Sequence, residues 1–517
     1  MKIIHKIILL FYLSLLTSNI PGQRIVAEWE PALGTMIRWP LGIPSTLVVE
    51  LASDDLLYVL VENTQQQSVA TSNFENWNVN MSNVSFIYTS TYSHWTRDHG
   101  PQFLIGEDTW KVINQKFDGY PEESGCDINL NSSEYDGRNK NHQIRGWEED
   151  DDTNIDFANQ LGWDILNLPL YFTGGNFMTD GYGMGFATEL MVNENDVSEF
   201  QFKALIEEYL DLESFHIFDN PNVLSIQHID CMAKLVDSET VIIKQVSELS
   251  PEYDCIENFA DAFYELNTFY GRPFEIHRIF CPSINGAWWE INPVAAYTNS
   301  LILNEKVLVP QYGIFHDQAA LETYKNVMPG YNVIGFEAAT NEPWYGEDAL
   351  HCRTMGIFDP DMIHISHKSI RTSELNINPI FIDAEIIDYS GIGIESTVVH
   401  WKYDDDENFS EFPLTLNENN YYNGEFPFLD INRQVSYYLE SKNYENTIIK
   451  NPISGWHTFI IDGIIGDINN DSALNIQDVI ILINFILSNE YYQQGDLNLD
   501  NQLNILDIIQ LVNEIIG

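Results

Sequence analysis

Cysteine and positive charge are both scarce in this chain. Five cysteines (Cys126, Cys231, Cys255, Cys281 and Cys352) are spread over 517 residues with no CxxC spacing, which argues against a structural zinc site or a dense disulfide scaffold. At most two disulfides can form, and the thiol left over fits a free nucleophile. Lys and Arg together number 24 against 77 Asp and Glu, a net charge of -53 at pH 7. A surface of that sign repels phosphate and anionic lipid, so nucleic-acid and membrane-surface binding are disfavoured. It suits cationic partners, guanidinium among them, or solubility in salt. Beyond the N-terminus no segment reaches about 18 uninterrupted apolar residues, so no membrane span is expected.

The length exceeds one ordinary core and implies about three units. Residues 1–23 carry Lys2 and Lys6, then the apolar run Ile7 to Leu16, then small and polar residues. This is the order of a signal peptide, so the mature protein is expected to be secreted, extracellular or associated with a cell surface.

From about residue 24 to 370 short apolar strands alternate with turns and helices, a mixed α/β pattern. Strands are expected at Gly34–Trp39, Leu56–Val61, Val84–Tyr88, Gln102–Ile105, Leu235–Lys244 and Ser300–Val309, and helices at Val197–Leu210 and Glu257–Phe269. Glu28, Trp29 and Glu30 before Pro31 form a domain-opening segment whose aromatic either lines a pocket or packs.

Several compact polar motifs carry candidate chemistry. Cys352 stands between His351 and Arg353, whose charge would draw its thiol toward the thiolate; the alternative is a buried structural thiol. His94 to Pro101 places Asp98 at a strand end, with ion pairing to Arg97 or turn capping as the alternatives. Tyr171 to Gly185 holds Gly174, Gly175, Gly181, Gly183 and Gly185, a density that implies tight turns or close backbone approach to a ligand. It lacks the strand–GxGxxG–helix order of a nucleotide site. His228 and Asp230 are two apart, which on a strand projects both from one face. Structural hydrogen bonding and metal ligation are the other readings of that pair, and no third ligand lies nearby in sequence.

Taken together, Trp95 to Pro101, Thr173 to Gly183, His228 to Cys231, Tyr297 to Val309 and Pro343 to Thr354 resemble the guanidine-modifying superfamily, in its branch of agmatine deiminases and Porphyromonas-type peptidylarginine deiminases. The resemblance implies a five-bladed α/β propeller with the site at its central pore. Thr173 before Gly174-Gly175, and Asp348 to Thr354 around the thiol, are similar to the protein-arginine type. The implied chemistry has Asp98 and Asp230 clamping the guanidinium and Cys352 attacking its central carbon to give a thiouronium. His228 serves as general acid and then activates water, Asn299 orients the nucleophile or substrate, and Trp95 walls the aliphatic stem. No cofactor is needed for catalysis. In the resembling enzymes two arginines hold a substrate carboxylate; Arg145 keeps the first of these positions and Trp147 stands at the second. Arginine-containing peptides or proteins are thus the expected substrates, with agmatine or a related small amidine as the second reading and a non-catalytic arginine-binding protein as a third.

Residues 371–461 change to alternating strands (Ile380 to Ile387, Thr397 to Lys402, Gln434 to Leu439), which read as an immunoglobulin-like β-sandwich without its disulfide. Residues 462–517 hold a repeat with a period of 29: Asp467, Asn469, Asp471, Asn475 and Asp478 recur as Asp496, Asn498, Asp500, Asn504 and Asp507. With Ala473 and Gln502 at the backbone-carbonyl position, these are two calcium loops of oxygen donors. Each precedes one apolar helix, Val479 to Leu487 and Ile508 to Ile516. The arrangement resembles a type I dockerin, which implies structural Ca2+ and a cohesin-bearing scaffold protein as partner.

Overall fold

The structure is a computed structural model that describes residues 22–106, 109–120, 125–126, 147–222, 226–286, 293–372, 379–417, 419–427, 429–461, 463–469, 473–498 and 500–516. The segment read as a signal peptide lies almost wholly outside the described residues, as do Arg145 and Asp471. The chain divides into two compact units, Met1–Pro360 and Asp361–Gly517.

Among the described residues the first unit holds five separate sheets, and one local plan recurs in them: an antiparallel pair, then a helix, then a strand that returns parallel to the second member of the pair. Met178–Thr179 and Met184–Thr188 pair antiparallel and Ser214–Phe218 returns parallel after the helix Glu199–Leu210. Ala233–Leu235, Thr240–Gln245 and Glu275–Phe280 repeat this around Tyr253–Tyr264. Leu301–Leu303, Lys306–Gln311 and Asn332–Glu337 repeat it around Asp317–Val327. In the fourth sheet Gln102–Gly106 pairs with Thr109–Lys116, Ile165–Tyr171 returns parallel, and Gln23–Ile25 is added at the edge. The fifth sheet joins the two ends of the unit, since Met355–Phe358 lies antiparallel to Ala32–Arg38, followed in parallel by Leu56–Val61 and Val84–Tyr88.

Local chemistry explains where these elements begin and end. Glu199–Leu210 starts at a capping box between Ser198 and Gln201, buries Phe202, Ile206 and Leu210 on one stripe, and stops where Asp211 turns left-handed at φ 55°. Two expected strands prove to be hairpins. Leu235–Lys244 breaks because the Asp237 side chain accepts from Glu239 N at 2.7 Å and tightens a turn. Ser300–Val309 breaks at Asn304, φ 50°, a left-handed position that asparagine tolerates. The helix expected at Glu257–Phe269 runs instead over Tyr253–Tyr264, which puts Ile256, Phe259, Ala260 and Phe263 in the core.

In the second unit two antiparallel sheets share one core. One is ordered Ile363–Ser366, Phe381–Asp388, Tyr421–Glu425 and Thr415–Leu416; the other centres on Ile394–Tyr403 and Gln434–Asn443. Ile382, Ile386, Val399, Tyr437 and Leu439 lie in that core. Two helices follow, Ile476–Ser488 and Ile505–Ile516, packed through Val479, Leu482 and Leu511. No helix among the described residues is long and apolar enough to cross a membrane.

Candidate active site

The recurring plan places the candidate residues equivalently. Asp98, Gly175, Asp230, Asn299 and Cys352 each stand two to four residues ahead of the strand that opens the next sheet. Short turns hold three of them: the helix Thr96–His99 carries Asp98, and one-turn 3₁₀ helices at Gly174–Asn176 and Ile229–Cys231 carry Gly175 and Asp230. His228 and Asp230 are therefore not neighbours on a strand face, as the i, i+2 reading had them. The turn brings them together by another route.

Gly175 marks the point of convergence. A Cβ there would sit 2.4 Å from Asp98 Oδ1, 2.8 Å from His228 Nδ1 and 3.3 Å from Asp230 Oδ2, so only glycine fits between these three groups. Its N–H donates to Asp98 Oδ1 at 3.0 Å. The second oxygen, Asp98 Oδ2, accepts from the Tyr120 hydroxyl at 2.6 Å. His228 Nδ1 lies 3.6 Å from Asp98 Oδ1 and is buried without a hydrogen-bond partner. Arg97 does not pair with Asp98; it turns to Glu28 at 3.0 Å.

On the other side, Asn299 fixes the thiol. Its Nδ2 stands 3.1 Å from Cys352 Sγ and donates to Asp230 Oδ2 at 3.1 Å. Its Oδ1 accepts from the backbone N–H groups of His351 and Cys352 at 3.0 and 3.2 Å. Cys352 Sγ is 3.7 Å from Asp230 Oδ2. The backbone, amide and carboxylate around the sulfur are thereby locked to one another.

The residues beside the thiol do not activate it. Arg353 forks onto Asp348, with Nε–Oδ1 2.8 Å and Nη2–Oδ2 2.6 Å, and donates to the Gly42 carbonyl, so its charge is already matched. Both ring nitrogens of His351 are taken, Nδ1 by Asp230 Oδ2 at 2.8 Å and Nε2 by Glu28. The hydrogen bond with Cys231 draws the Cys352 thiol down, but burial and the charges of Asp230, Asp98 and Asp348 push it up to about 11. The expected cationic activation is thus corrected: in the free protein the thiol keeps its proton. Burial likewise lowers His228 to about 4 against the pull of Asp230, leaving a neutral imidazole at neutral pH.

The two carboxylates diverge. Burial, and then the charge of Asp230, holds Asp98 well above the ordinary carboxylate range. Burial pushes Asp230 up as well, but the hydrogen bond and charge of His351 outweigh it and leave Asp230 lowered. A chain Glu28–His351–Asp230 therefore supports the ionised acid. Glu28 also pairs with Lys234 at 3.0 Å and Arg97 at 3.0 Å. Burial acts to raise it, while His351, Lys234 and Arg97 hold it well below its usual value. Such a cluster, acidic and without a free cation of its own among the described residues, suits a flat cation that can take two carboxylates.

The wall is aromatic. Trp95 contacts Tyr120 and Trp147 with ring centroids 5.2 and 6.0 Å apart, and Tyr120 lies 5.8 Å from the His228 ring. Trp147, at the place where a second arginine would stand, packs into this cluster, 5.3 Å from Tyr120 and 4.9 Å from Tyr92. Cys126 and Cys255 form a disulfide, leaving Cys231, Cys281 and Cys352 free and buried. Glu28 had a visible signal in the acidic segment before Pro31, although its partner was not readable; Tyr120 had none.

In the tail the last acid of each loop makes the same pair of backbone bonds. Asp478 accepts from Ile468 N at 2.8 Å and Asn475 N at 2.9 Å, and Asp507 accepts from Leu497 N at 3.0 Å and Asn504 N at 2.9 Å. Asp496 accepts from Asp500 N at 3.1 Å and Asn501 N at 2.7 Å. The first loop contributes Asp467, Asn469 and Ala473 as well, and the second Asn498 and Gln502; all of these donors are oxygens, a set that fits a hard cation such as Ca2+.

A model of the Porphyromonas-type peptidyl-arginine deiminase family matches residues 24–357. A relative from Enterococcus faecalis, named for agmatine deiminase activity, is 26% identical over 290 residues, covering 50% of this chain and 73% of the relative. Among solved structures, the chain resembles an agmatine deiminase of Enterococcus faecalis (TM-score 0.52, 20% identity, 66% of this chain and 98% of that one). It also resembles the agmatine deiminase of C. jejuni (TM-score 0.51, 16% identity, 65% and 97%).

Proposed function

The chain belongs to the Porphyromonas-type peptidyl-arginine deiminase family, hydrolases of guanidino C–N bonds, and we propose that it converts peptidyl-arginine to peptidyl-citrulline and ammonia through a thiouronium on Cys352. The observation that carries this reading is the meeting of Asp98, His228 and Asp230 around Gly175, with Asn299 tying Asp230 to the Cys352 sulfur.

The free-site protonation sets the order of steps. The guanidinium enters between Asp98 and Asp230, and its charge offsets the acids that disfavour a thiolate. The Cys352 proton passes to the neutral His228 as sulfur bonds to the guanidinium carbon. The imidazole then hands that proton to one terminal nitrogen, the C–N bond breaks, and ammonia leaves the thiouronium. Water gives a proton to His228 as its oxygen bonds to the same carbon; the C–S bond breaks, and the proton returns to sulfur. The ureido group is released, and the remaining proton leaves with ammonia as ammonium. Trp95 lines the path of the aliphatic stem, and no metal or organic cofactor takes part.

The relatives named for agmatine deiminase favour a second reading, a small amidine substrate. Agmatine, peptides ending in arginine and peptides with internal arginine, incubated in parallel and followed by ammonia release and product mass, separate the two. Cys352→Ala must abolish ammonia release under both, and unchanged release would overturn the assignment. Retained binding without turnover in the unaltered protein would support a non-catalytic arginine-binding protein instead.

The five sheets are read as blades of one propeller, its pore occupied by the site. The two-sheet core of the second unit is read as an immunoglobulin-like sandwich in a secreted protein, and the duplicated tail as a dockerin-like module ordered by Ca2+. A rise in tail helicity on adding Ca2+, lost with Asp478→Ala and Asp507→Ala together, tests the last of these; capture by a cohesin-bearing scaffold tests its partner.

A further inference from the structure

Deiminase chemistry uses one sulfur, but the site contains two. Cys231, the residue after the clamping Asp230, is 1% exposed, and its sulfur lies 3.9 Å from the same Asn299 Nδ2 that stands 3.1 Å from Cys352 Sγ. Both sulfurs face one backbone carbonyl, that of Glu347, at 3.6 and 3.9 Å. A sulfur of Cys231, a sulfur of Cys352 and a carboxylate oxygen of Asp230 all lie within 4.8 Å of one another, the only such group among the described residues.

We propose that Cys231, Cys352 and Asp230 form a site for a thiophilic divalent cation of the zinc class, which excludes the guanidinium and reversibly silences the enzyme. Two sulfurs and a carboxylate oxygen are the donors such ions prefer, and three protein ligands leave a position for water. Calcium and magnesium, which prefer oxygen, are rejected by the sulfur pair. The protein cations nearby are already matched, Arg353 by Asp348 and Lys234 and Arg97 by Glu28, so none occupies the place. Binding forms two metal–sulfur bonds, releases two thiol protons to solvent and changes no oxidation state. The part of this inference that concerns inhibition rests on the deiminase reading; the metal site itself does not.

The experiment uses the full chain with calcium in excess, titrated with cadmium and followed by sulfur-to-metal charge-transfer absorbance. The expected result is one tightly bound cadmium per chain. Cys231→Ser and Cys352→Ser should each halve the band and weaken binding at least tenfold, while Cys281→Ser, at the remaining free thiol, should leave both unchanged. Cys231→Ala is run beside Cys231→Ser, so that a folding failure in one still leaves a result. In turnover assays zinc should compete with substrate, and Cys231→Ser should raise its inhibition constant at least tenfold, measured against that variant's own metal-free rate. A band that survives Cys231→Ser and Cys231→Ala, or that falls with Cys281→Ser, overturns the site. A band that behaves as expected in a protein with no turnover on any arginine substrate sinks the deiminase reading and leaves the metal site standing.

Discussion

Tyr120 donates its hydroxyl to Asp98 over 2.6 Å while its ring packs against Trp95 and His228. It thus joins the aromatic wall to Asp98, and its hydrogen bond favours the ionised carboxylate that the proposed clamp needs, against the burial that disfavours it. Removing the hydroxyl leaves the ring in place. A hydrogen bond to a charged group contributes about 1.5–3 kcal/mol. Tyr120→Phe should therefore lower kcat/KM by about tenfold to a hundredfold in steady-state assays, with thermal stability little changed. An unaltered kcat/KM would show that Asp98 is held by the Gly175 N–H alone.

Gly175 is the second test of the clamp. Alanine there must displace Asp98, His228 or both, because its Cβ would lie 2.4 and 2.8 Å from them. Overpacking of this kind costs about 1–3 kcal/mol of stability, so the variant should fold. A displacement of about 1 Å at the reacting groups costs about a hundredfold in rate. Gly175→Ala is expected to keep its circular dichroism spectrum and lose about that much activity. Full activity would mean the groups can part without consequence.

What the sequence made legible depended on range. The strand at Leu56–Val61 and the helix ending at Leu210 were readable because their apolar spacing is local. The residues that meet in one buried cluster were found because each sits in a compact polar motif. The repeated plan of the five sheets was not readable, since the repeats share a backbone path and almost no residue pattern. His351 is the clearest failure. Beside a cysteine it reads as an activating cation, but its ring nitrogens are taken by Asp230 and by Glu28, 323 positions away. Tyr120 offered no signal at all, for a lone tyrosine between glycine and proline says nothing about a carboxylate 22 positions earlier.

Glu28, its side chain 17% exposed, pairs with the buried Arg97, Lys234 and His351 and also accepts from Ile302 N at 3.1 Å. Replacing it with glutamine leaves two cations without their counter-charge, a loss of about 3–5 kcal/mol when one partner of a buried pair is removed. Denaturant unfolding of Glu28→Gln at neutral pH should show a deficit of that order. Adding Lys234→Met, which removes one of the stranded charges, should restore part of it. Because Glu28 is held below its ordinary value, its contribution is present above the unfolded carboxylate range and fades as pH falls through the lower folded value. The gap between wild type and variant should therefore close on strong acidification. A gap unchanged down to that range would remove the charge explanation.

Asp180 titrates in the opposite sense. It is fully buried in the glycine-rich turn, where Oδ1 accepts from Tyr182 N at 2.8 Å and Met184 N at 2.9 Å, but Oδ2 has no hydrogen-bond partner. Burial raises it to about 7 against those backbone bonds and the charge of Arg24. An acid raised on folding holds its proton in the native state when the unfolded chain has already lost it, so stability declines as pH climbs from the ordinary carboxylate value to about 7. Asparagine keeps the accepting oxygen and cannot ionise. Asp180→Asn should match wild type near pH 4 and exceed it at pH 8 by about 1 kcal/mol or more, read from the midpoint of urea unfolding at each pH. Equal midpoints at pH 8 would mean that the charged carboxylate finds solvent or a partner that the folded turn does not show.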